Sequence, residues 1–440
     1  MIATRPLLNH TSGACLAWAG QRPISRERFL NDVAHVATAL PDTRFAVNLC
    51  SDRYLFTVAF AAILVRAQTN LLPCSRLPHD IASARAVYPD STILTDDDIL
   101  NVLRDQYDAQ LNHSISVPEI AIEHTAAITF TSGSTGESQP HPKTWGSLVS
   151  CAQLTQQRFA LTPHSILLAT APPQHMYGLE ASVMLPLISG TSIQRSRPLF
   201  PEDIRTALSN MPAPRVLITT PVHLRACCRT DTEWPKLDLV LSATAPLDTK
   251  LASTAETMFK APVMEIYGCT EGGSLASRRT VEGNRWHLFD GVEISACDEA
   301  FWVSGGHISK PFQLNDHIEF LDGNFFQLLG RHSDMVNIAG KRASLSSLNY
   351  HLNTLEGVLD GVFLMPTETA NENAAPQRLM ALVVAPQQTE ASIIAALATR
   401  IDAAFLPRPL YQVDRLPRNE TGKLPQRELL ALLNRIKMHA

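Results

Sequence analysis

Ala126-Ala127-Ile128-Thr129-Phe130-Thr131-Ser132-Gly133-Ser134-Thr135-Gly136 is the stretch on which the fold turns. Its first five residues read as a short buried strand, and the chain then runs directly into a loop of hydroxyls and glycines. Small residues there let the backbone approach a polyphosphate, while successive N–H groups and the hydroxyls of Thr131, Ser132, Ser134 and Thr135 supply donors. Lys143 lies seven residues beyond Gly136 and could reach the same anion. A Walker A loop would carry its lysine directly after the second glycine. Here six residues intervene and Pro142 precedes the lysine, so that spacing fails. Taken alone, the stretch also reads as an ordinary polar loop.

Downstream, Ile166–Ala169, Val216–Thr219, Leu237–Leu241 and Val263–Tyr267 repeat the pattern of short apolar runs bounded by Pro, Gly, Ser or Thr. Stretches with helical spacing, Trp145–Phe159 and Leu247–Phe259, separate them. Such alternation predicts an α/β domain built on mostly parallel sheet. Upstream, Thr57–Ala67 reads as an apolar helix that packs the N-terminal part onto that sheet. The texture changes near residue 290. Trp302–Ser304, His317–Leu321 and Phe325–Leu328 read as antiparallel strands, the last two joined by the turn Asp322-Gly323-Asn324. Helix-like Leu345–Leu355, strand-like Gly361–Met365 and Met380–Val384, helix-like Ala391–Phe405 and an amphipathic Pro425–Ile436 follow. Pro366–Pro376 reads as a surface loop. The expected organisation is a large multi-layer N-terminal domain over 1–330, a hinge at 331–334 and a small mobile α+β domain over 335–440.

Composition narrows the function. The 440 residues are 45% hydrophobic and 18% charged, too apolar for a disordered chain. A formal charge of −5 offers no global basic field for nucleic acid or anionic membrane. No apolar run reaches the length of a membrane span, and the first ten residues lack a secretory core. The 8 cysteines are sparse, and the vicinal pair Cys227-Cys228 has neither zinc nor redox spacing. Buried thiols in a reducing cytoplasm are the expectation. The 20 glycines fall below the ~31 of average usage, so the clustered ones call for a reason.

At this point the chain resembles the acyl-adenylate-forming (AMP-binding) superfamily, which comprises acyl- and aryl-CoA synthetases, luciferases and peptide-synthetase adenylation domains. Thr131–Gly136 with Pro142-Lys143 is similar to its phosphate loop. Pro172-Pro173-Gln174-His175-Met176-Tyr177-Gly178 resembles its His-containing segment beside the acyl pocket, and Ser242-Ala243-Thr244-Ala245-Pro246-Leu247 its adenine-side loop. Tyr267-Gly268-Cys269-Thr270-Glu271 resembles its Tyr-Gly-x-Thr-Glu signature, and Asn315-Asp316 stands where a Gly-Asp pair binds ribose. Gly330-Arg331-His332-Ser333-Asp334 through Gly340-Lys341-Arg342 resembles the interdomain hinge. Leu416-Pro417-Arg418-Asn419-Glu420-Thr421-Gly422-Lys423 is similar to the terminal segment that delivers a catalytic lysine. The seven motifs fall in the family's order.

The resemblance implies ATP-dependent activation of a carboxylic acid, then transfer to CoA or to the phosphopantetheine of an acyl or aryl carrier protein, with AMP and pyrophosphate released. Glu271 would hold Mg²⁺, which usually engages one or two carboxylates plus phosphates and water. Otherwise it is a solvated loop acid. Thr270 would bind phosphate or else cap a helix. Tyr267 would pack on adenine or simply belong to the core. Asp316 and Arg331 would hold the ribose, an exposed ion pair being the alternative. Lys423 would bridge the acyl carboxylate and phosphate. Asp334 would be the pivot, and Gly340 would line the thiol tunnel. His175, Tyr177, Thr220, Pro221, His223 and Ser242 are the candidate acid-pocket residues, suited to an aryl or medium acyl acid.

Several positions depart from the family pattern. Ser138–His141 are extra, and Thr144, Ala243, Thr244 and Asn315 stand where relatives carry glycine; Ala343-Ser344 replace Ile-Glu. The 130 residues ahead of Thr131 are fewer than in most members, which implies a trimmed N-terminal part. Met176-Tyr177-Gly178 offers no carboxylate where amino-acid-activating domains bind an amine, although Glu180 lies close by. A P-loop enzyme, an amino-acid-activating enzyme and a non-catalytic nucleotide-binding regulator are the competing readings.

Overall fold

The computed structural model describes residues 2–104, 116–132, 138–297, 300–331, 335–338, 341–365, 378–419, 422 and 424–439. Its packing divides the chain into two compact units, one of residues 1–294, 303–312 and 420–422, the other of residues 295–302, 313–419 and 423–440.

The first unit is built around two main sheets. In the smaller, the strands run in the order Ser91–Leu94, Phe45–Asn48, Thr69–Leu72, Thr125–Ser132 and Ser138–Thr144. All neighbours are parallel except the last pair, an antiparallel hairpin that sets Phe130 opposite Pro140 and Ile128 opposite Pro142. The extra residues Ser138–His141 thus extend an edge strand. Two prolines are tolerated there because an edge strand has N–H groups without ladder partners.

The larger sheet of this unit carries, side by side and parallel, Val263–Cys269, Leu239–Ser242, Arg215–Thr219, Ile166–Ala169, Ser192–Gln194 and Cys15–Ala19. Antiparallel strands Gly273–Arg279 and Arg22–Ser25 continue it on either side. The expected strands are all present, each within two residues of its predicted limits. Alternate residues face opposite cores, as the two-residue period of a strand requires. Leu167, Ala169, Val216, Ile218 and Leu241 join Phe29, Phe56 and Phe60 of helices Arg26–Ala39 and Arg53–Val65. Ile166, Leu168, Leu217, Val240 and Val263 instead meet Leu208, Leu224 and Phe259 of helices Pro201–Ser209, Pro221–Cys227 and Thr249–Phe259. The apolar helix expected at Thr57–Ala67 starts four residues earlier, because the Asp52 carboxylate accepts from the Leu55 N–H and caps it.

In the second unit, Asp316–Phe320 and Phe325–Arg331 form the expected hairpin, with Leu321 N–H bonded to Phe325 O at 2.9 Å. Strands Asp360–Leu364, Met380–Val384 and Leu410–Gln412 make a small sheet. Helices Leu345–Asn353 and Glu390–Ala398 pack on it through Leu348, Leu352, Ile393 and Leu397. The helix expected over Ala391–Phe405 stops at Ala398; Asp402 then caps a separate short turn by accepting from the Ala404 N–H. The final helix spans Gln426–His439. Arg418 grips Asp360 at 2.7 Å, anchoring the start of the lysine-bearing segment to this sheet. The expected loop Pro366–Pro376 lies outside the described residues. All eight cysteines, Cys227 and Cys228 included, are free thiols. Among the described residues no helix is long and apolar enough to cross a membrane.

Candidate functional site

The parallel strands of the larger sheet end at Ala169, Thr219, Ser242 and Cys269. The His-containing segment and Thr220 to His223 follow two of those ends, and the adenine-side loop and the Tyr-Gly-x-Thr-Glu signature run across the other two. Open α/β sheets bind ligands beyond the carboxyl ends of their strands, so one edge gathers motifs spread over 100 residues.

The chain leading into the His-containing segment is held by a residue the sequence reading passed over. Arg53 is fully buried, and its guanidinium donates to the carbonyls of Ala169 at 2.9 Å and Ala171 at 2.8 Å. It also reaches the Ser182 hydroxyl. Gly178 is obligatory, since a Cβ there would lie 1.8 Å from Pro172 O. His175 is half-buried ahead of the short helix Met176–Leu179. The Tyr177 hydroxyl donates to Leu241 O at 2.9 Å, and burial pushes its phenol up. His223 Nδ1 pairs with the Thr220 hydroxyl at 2.9 Å. Burial, then the nearby Arg197 charge, lowers that imidazole to about 4, so His223 is neutral at pH 7. Pro221 opens its helix at the first turn, where a missing N–H costs nothing. Ser242 is fully buried with no partner for its hydroxyl among the described residues.

The adenine-side loop is fixed by a buried charge. Glu265, on the neighbouring strand, accepts from the Leu247 N–H at 2.9 Å and the Thr280 hydroxyl at 3.0 Å, and pairs with Arg278 at 2.7 Å. Burial raises the Glu265 carboxyl despite the pull of Arg278. Arg278 in turn lies over the Trp286 ring at 4.5 Å, and Trp286 packs against Tyr267 with centroids 5.6 Å apart. Tyr267 is therefore braced and half-buried, not lost in the core. Thr244 adopts φ +81°, a left-handed conformation that favours glycine. Ala245 is half-buried and Pro246 exposed beside it.

The signature ends in a tight turn. Gly268 is required there, because a Cβ would meet Gly273 O at 2.2 Å. No helix follows Thr270, which sits in a hairpin turn between antiparallel strands, so its reading as a helix cap is overturned. Glu271 is exposed at the tip. Its carbonyl accepts from the buried Lys143 ammonium, which places Lys143 against this turn. Burial lowers the Lys143 amine, opposed first by the charge of Glu180. Thr131 shares a hydrogen bond with His141 at 3.1 Å, and burial lowers that imidazole. Asp316 lies directly across the hairpin from Arg331 in the strand register.

Gly133, Ser134, Thr135, Gly136, Asp334, Gly340 and Lys423 lie outside the described residues, and only the backbone of Ser132 and Arg331 is described. No cluster of three or more metal-ligating side chains occurs among the described residues. A single exposed carboxylate beside a threonine hydroxyl fits Mg²⁺ carried in largely by phosphates and water, and does not fit a self-sufficient metal centre.

A family model described as "AMP-binding enzyme" matches residues 36–311. A 4-coumarate–CoA ligase of Halorhodospira halophila is 27% identical over 318 residues, which is 69% of this chain and 76% of that protein. An oxalate–CoA ligase of Arabidopsis thaliana is 23% identical over 346 residues, 69% of this chain and 66% of the relative. Among solved structures, the o-succinylbenzoate CoA synthetase of Bacillus subtilis with its acyl-adenylate intermediate superposes with a TM-score of 0.82 at 16% identity, covering 97% and 98% of the two chains. ATP-bound MatB from Rhodopseudomonas palustris gives 0.78 at 17% identity, covering 97% of each. At these identities the two structural likenesses speak to fold.

Proposed function

This chain belongs to the AMP-binding enzyme family, and from that premise we propose that it is an ATP-dependent acid–thiol ligase. A carboxylic acid attacks the α-phosphorus of ATP to give an acyl-adenylate and pyrophosphate, and a thiol then displaces AMP to give a thioester. The observation that carries the reading is the gathering of the acid-pocket, adenine-side and signature motifs at one edge of the larger sheet. Each is pinned by buried contacts: Arg53 under the His-containing segment, Glu265 under the adenine-side loop, Lys143 under the Glu271 turn.

Two anions meet in the first half-reaction, so catalysis rests on positioning and charge neutralisation. Thr131 to Gly136 would cradle phosphates through N–H and hydroxyl donors. Tyr267 and Thr244–Pro246 would flank adenine, and Asp316 with Arg331 would hold the ribose hydroxyls. Glu271 would hold Mg²⁺ beside Thr270; when bound, the ion neutralises phosphate charge. Lys423 would place a compact ammonium between carboxylate and phosphate. Rotation of 335–440 about 331–334, pivoting at Asp334, would then exchange Lys423 for the segment around Gly340, which would line a thiol tunnel.

For the acid we propose an aryl carboxylic acid, and for the thiol CoA, with a carrier-protein phosphopantetheine as the alternative acceptor. The names of the relatives support CoA. Tyr177, the neutral His223 and the small Ser242 suit a flat acid with a polar substituent. Glu180 does not act as an amine-binding acid: it is 5% exposed, and Ser274 and Cys151 occupy both its oxygens. That observation disfavours an amino-acid substrate. The test is ATP–pyrophosphate exchange across aryl, fatty and amino acids, followed by mass spectrometry with CoA and with a holo carrier protein. Exchange that depends on one acid class is the expected result. ATP binding without exchange from any acid would replace this reading with a regulatory one.

A further inference from the structure

We propose that Glu180 is a positioning residue that braces the turn Cys269–Gly273 and thereby sets where Thr270 and Glu271 stand. What the turn does rests on the function proposed above; the brace itself does not.

Glu180 opens a π-turn, Glu180–Met184, inserted between the α-helical turns Met176–Leu179 and Leu185–Ser189. Such insertions re-aim a side chain within an otherwise regular helix. The re-aimed carboxylate points under the signature hairpin. Oε2 accepts from the Ser274 N–H at 3.1 Å and from its hydroxyl at 2.7 Å, and Oε1 accepts from the Cys151 thiol at 3.1 Å. Gly273 sits at φ +76°, and a Cβ on it would lie 2.1 Å from Glu180 Oε1. The carboxylate fills the space a side chain would need, so Gly273 answers to both conformation and contact.

Two other elements hold the same turn, and one bond closes it from within. The Lys143 ammonium donates to Glu271 O, His307 Nε2 donates to Gly272 O at 2.9 Å, and the Gly272 N–H reaches Cys269 Sγ at 3.4 Å. Glu180 is the acidic member of this buried set, and its charge is the first influence that holds the buried Lys143 amine up against desolvation. Burying a carboxylate is expensive unless its donors are supplied. Here they are supplied by the amide and hydroxyl of Ser274, just beyond the turn, and by the Cys151 thiol of the helix Trp145–Arg158. The strand Ser138–Thr144 and the helix that follows the His-containing segment are thereby tied through side chains to the hairpin that carries the exposed Glu271.

The test compares Glu180→Ala, Glu180→Gln and Ser274→Ala with the wild-type protein. It reads amide exchange at 268–275 without ligand, ATP binding with and without Mg²⁺ by calorimetry, and KM for the acid. Glu180→Ala is expected to speed exchange at Gly272–Ser274 and to weaken Mg²⁺-dependent ATP binding by about 10- to 100-fold, the worth of a lost charged hydrogen bond. The acid KM should move less than about 2-fold. Glu180→Gln, which still accepts from Ser274 but removes the charge from those hydrogen bonds, should fall between. Unchanged exchange in a folded Glu180→Ala protein overturns the brace, as does altered acid selectivity with ATP binding intact. Should Glu180→Ala fail to fold, the same readouts on Glu180→Gln and Ser274→Ala decide. Because exchange is measured without ligand, a wild-type protein inactive with every acid would defeat the proposed function and leave the brace to be judged separately.

Discussion

Replacing Glu265 by leucine isolates the interaction that fixes the adenine-side loop. Glu265 and Arg278 have side chains only 3% and 12% exposed and meet at 2.7 Å, so removing the carboxylate strands a buried guanidinium. Breaking such a pair costs about 3–5 kcal/mol. The Leu247 N–H and Thr280 hydroxyl lose their acceptor as well, which brings the expected loss to roughly 4–6 kcal/mol. Arg278→Met should cost about 3–5 kcal/mol for the mirror reason. The double variant should cost no more than about 1–2 kcal/mol, because both charges then escape desolvation and the neutral side chains fill a similar volume. Burial already raises the Glu265 carboxyl against the attraction of Arg278, which says that desolvation outweighs pairing at this site. Urea unfolding followed by tryptophan fluorescence, run as a double-mutant cycle, measures the coupling. Losses that simply add would refute the argument. The double variant should nonetheless bind ATP about 5- to 10-fold more weakly, since the Leu247 N–H remains unanchored. Stability recovers and nucleotide affinity does not.

Thr244→Gly should stabilise the ligand-free protein, since a left-handed threonine costs about 1–2 kcal/mol and glycine's extra chain entropy returns about 0.5–1. A rise of about 1–2 °C in melting temperature checks it, and a fall would remove the strain assigned to this loop. His10, His223 and His307 are each lowered to about 4, chiefly by burial. Between pH 6.5 and 4 the unfolded chain takes up protons that the folded one refuses. Stability therefore falls as pH falls, by up to about 1.4 kcal/mol per pH unit for each histidine. Urea midpoints from pH 7 to 4.5 follow this directly; asparagine at His10 and His307 should flatten the profile, and a flat wild-type profile would contradict it. Lys423→Ala should abolish adenylate formation while sparing thioester formation from a supplied acyl-adenylate, and bulk at Gly340 should do the reverse. Equal loss of both half-reactions in either variant would end that division of labour.

Periodicity made the strands beyond Thr125 legible, because parallel strands buried on both faces read as unbroken apolar runs and their ends are punctuated by Pro, Gly, Ser or Thr. Cys15–Ala19 escaped notice, although it lies beside Ser192–Gln194 in the larger sheet. It is short, carries a polar turn close behind it, and owes its place to a neighbour some 170 residues away, which no local window contains. The helix expected over Ala391–Phe405 was overextended for a related reason. Its apolar spacing persists past Ala398, while the competing cap at Asp402 is visible only as one more polar residue.

The candidate site divides along the same line. The residues proposed to touch a ligand fall in short motifs and could be read in order. The residues that hold those motifs could not, because Arg53, Glu180 and Glu265 are charges in the core and carry no pattern. Arg53 stands at the start of an apolar helix, and Glu180 was weighed only as a possible amine-binding acid. Their meaning appears once the distances show what they accept from and donate to: two carbonyls just ahead of the His-containing segment, the Ser274 amide and hydroxyl, the Leu247 amide. A buried charge is destabilising unless its surroundings are built for it. Three of them, each beneath a different motif, mean that this chain spends core stability on holding those loops still. The scarcity of glycine fits that picture. At Thr244 a left-handed turn that favours glycine is held under strain, and Glu265 fixes the Leu247 end of the same loop.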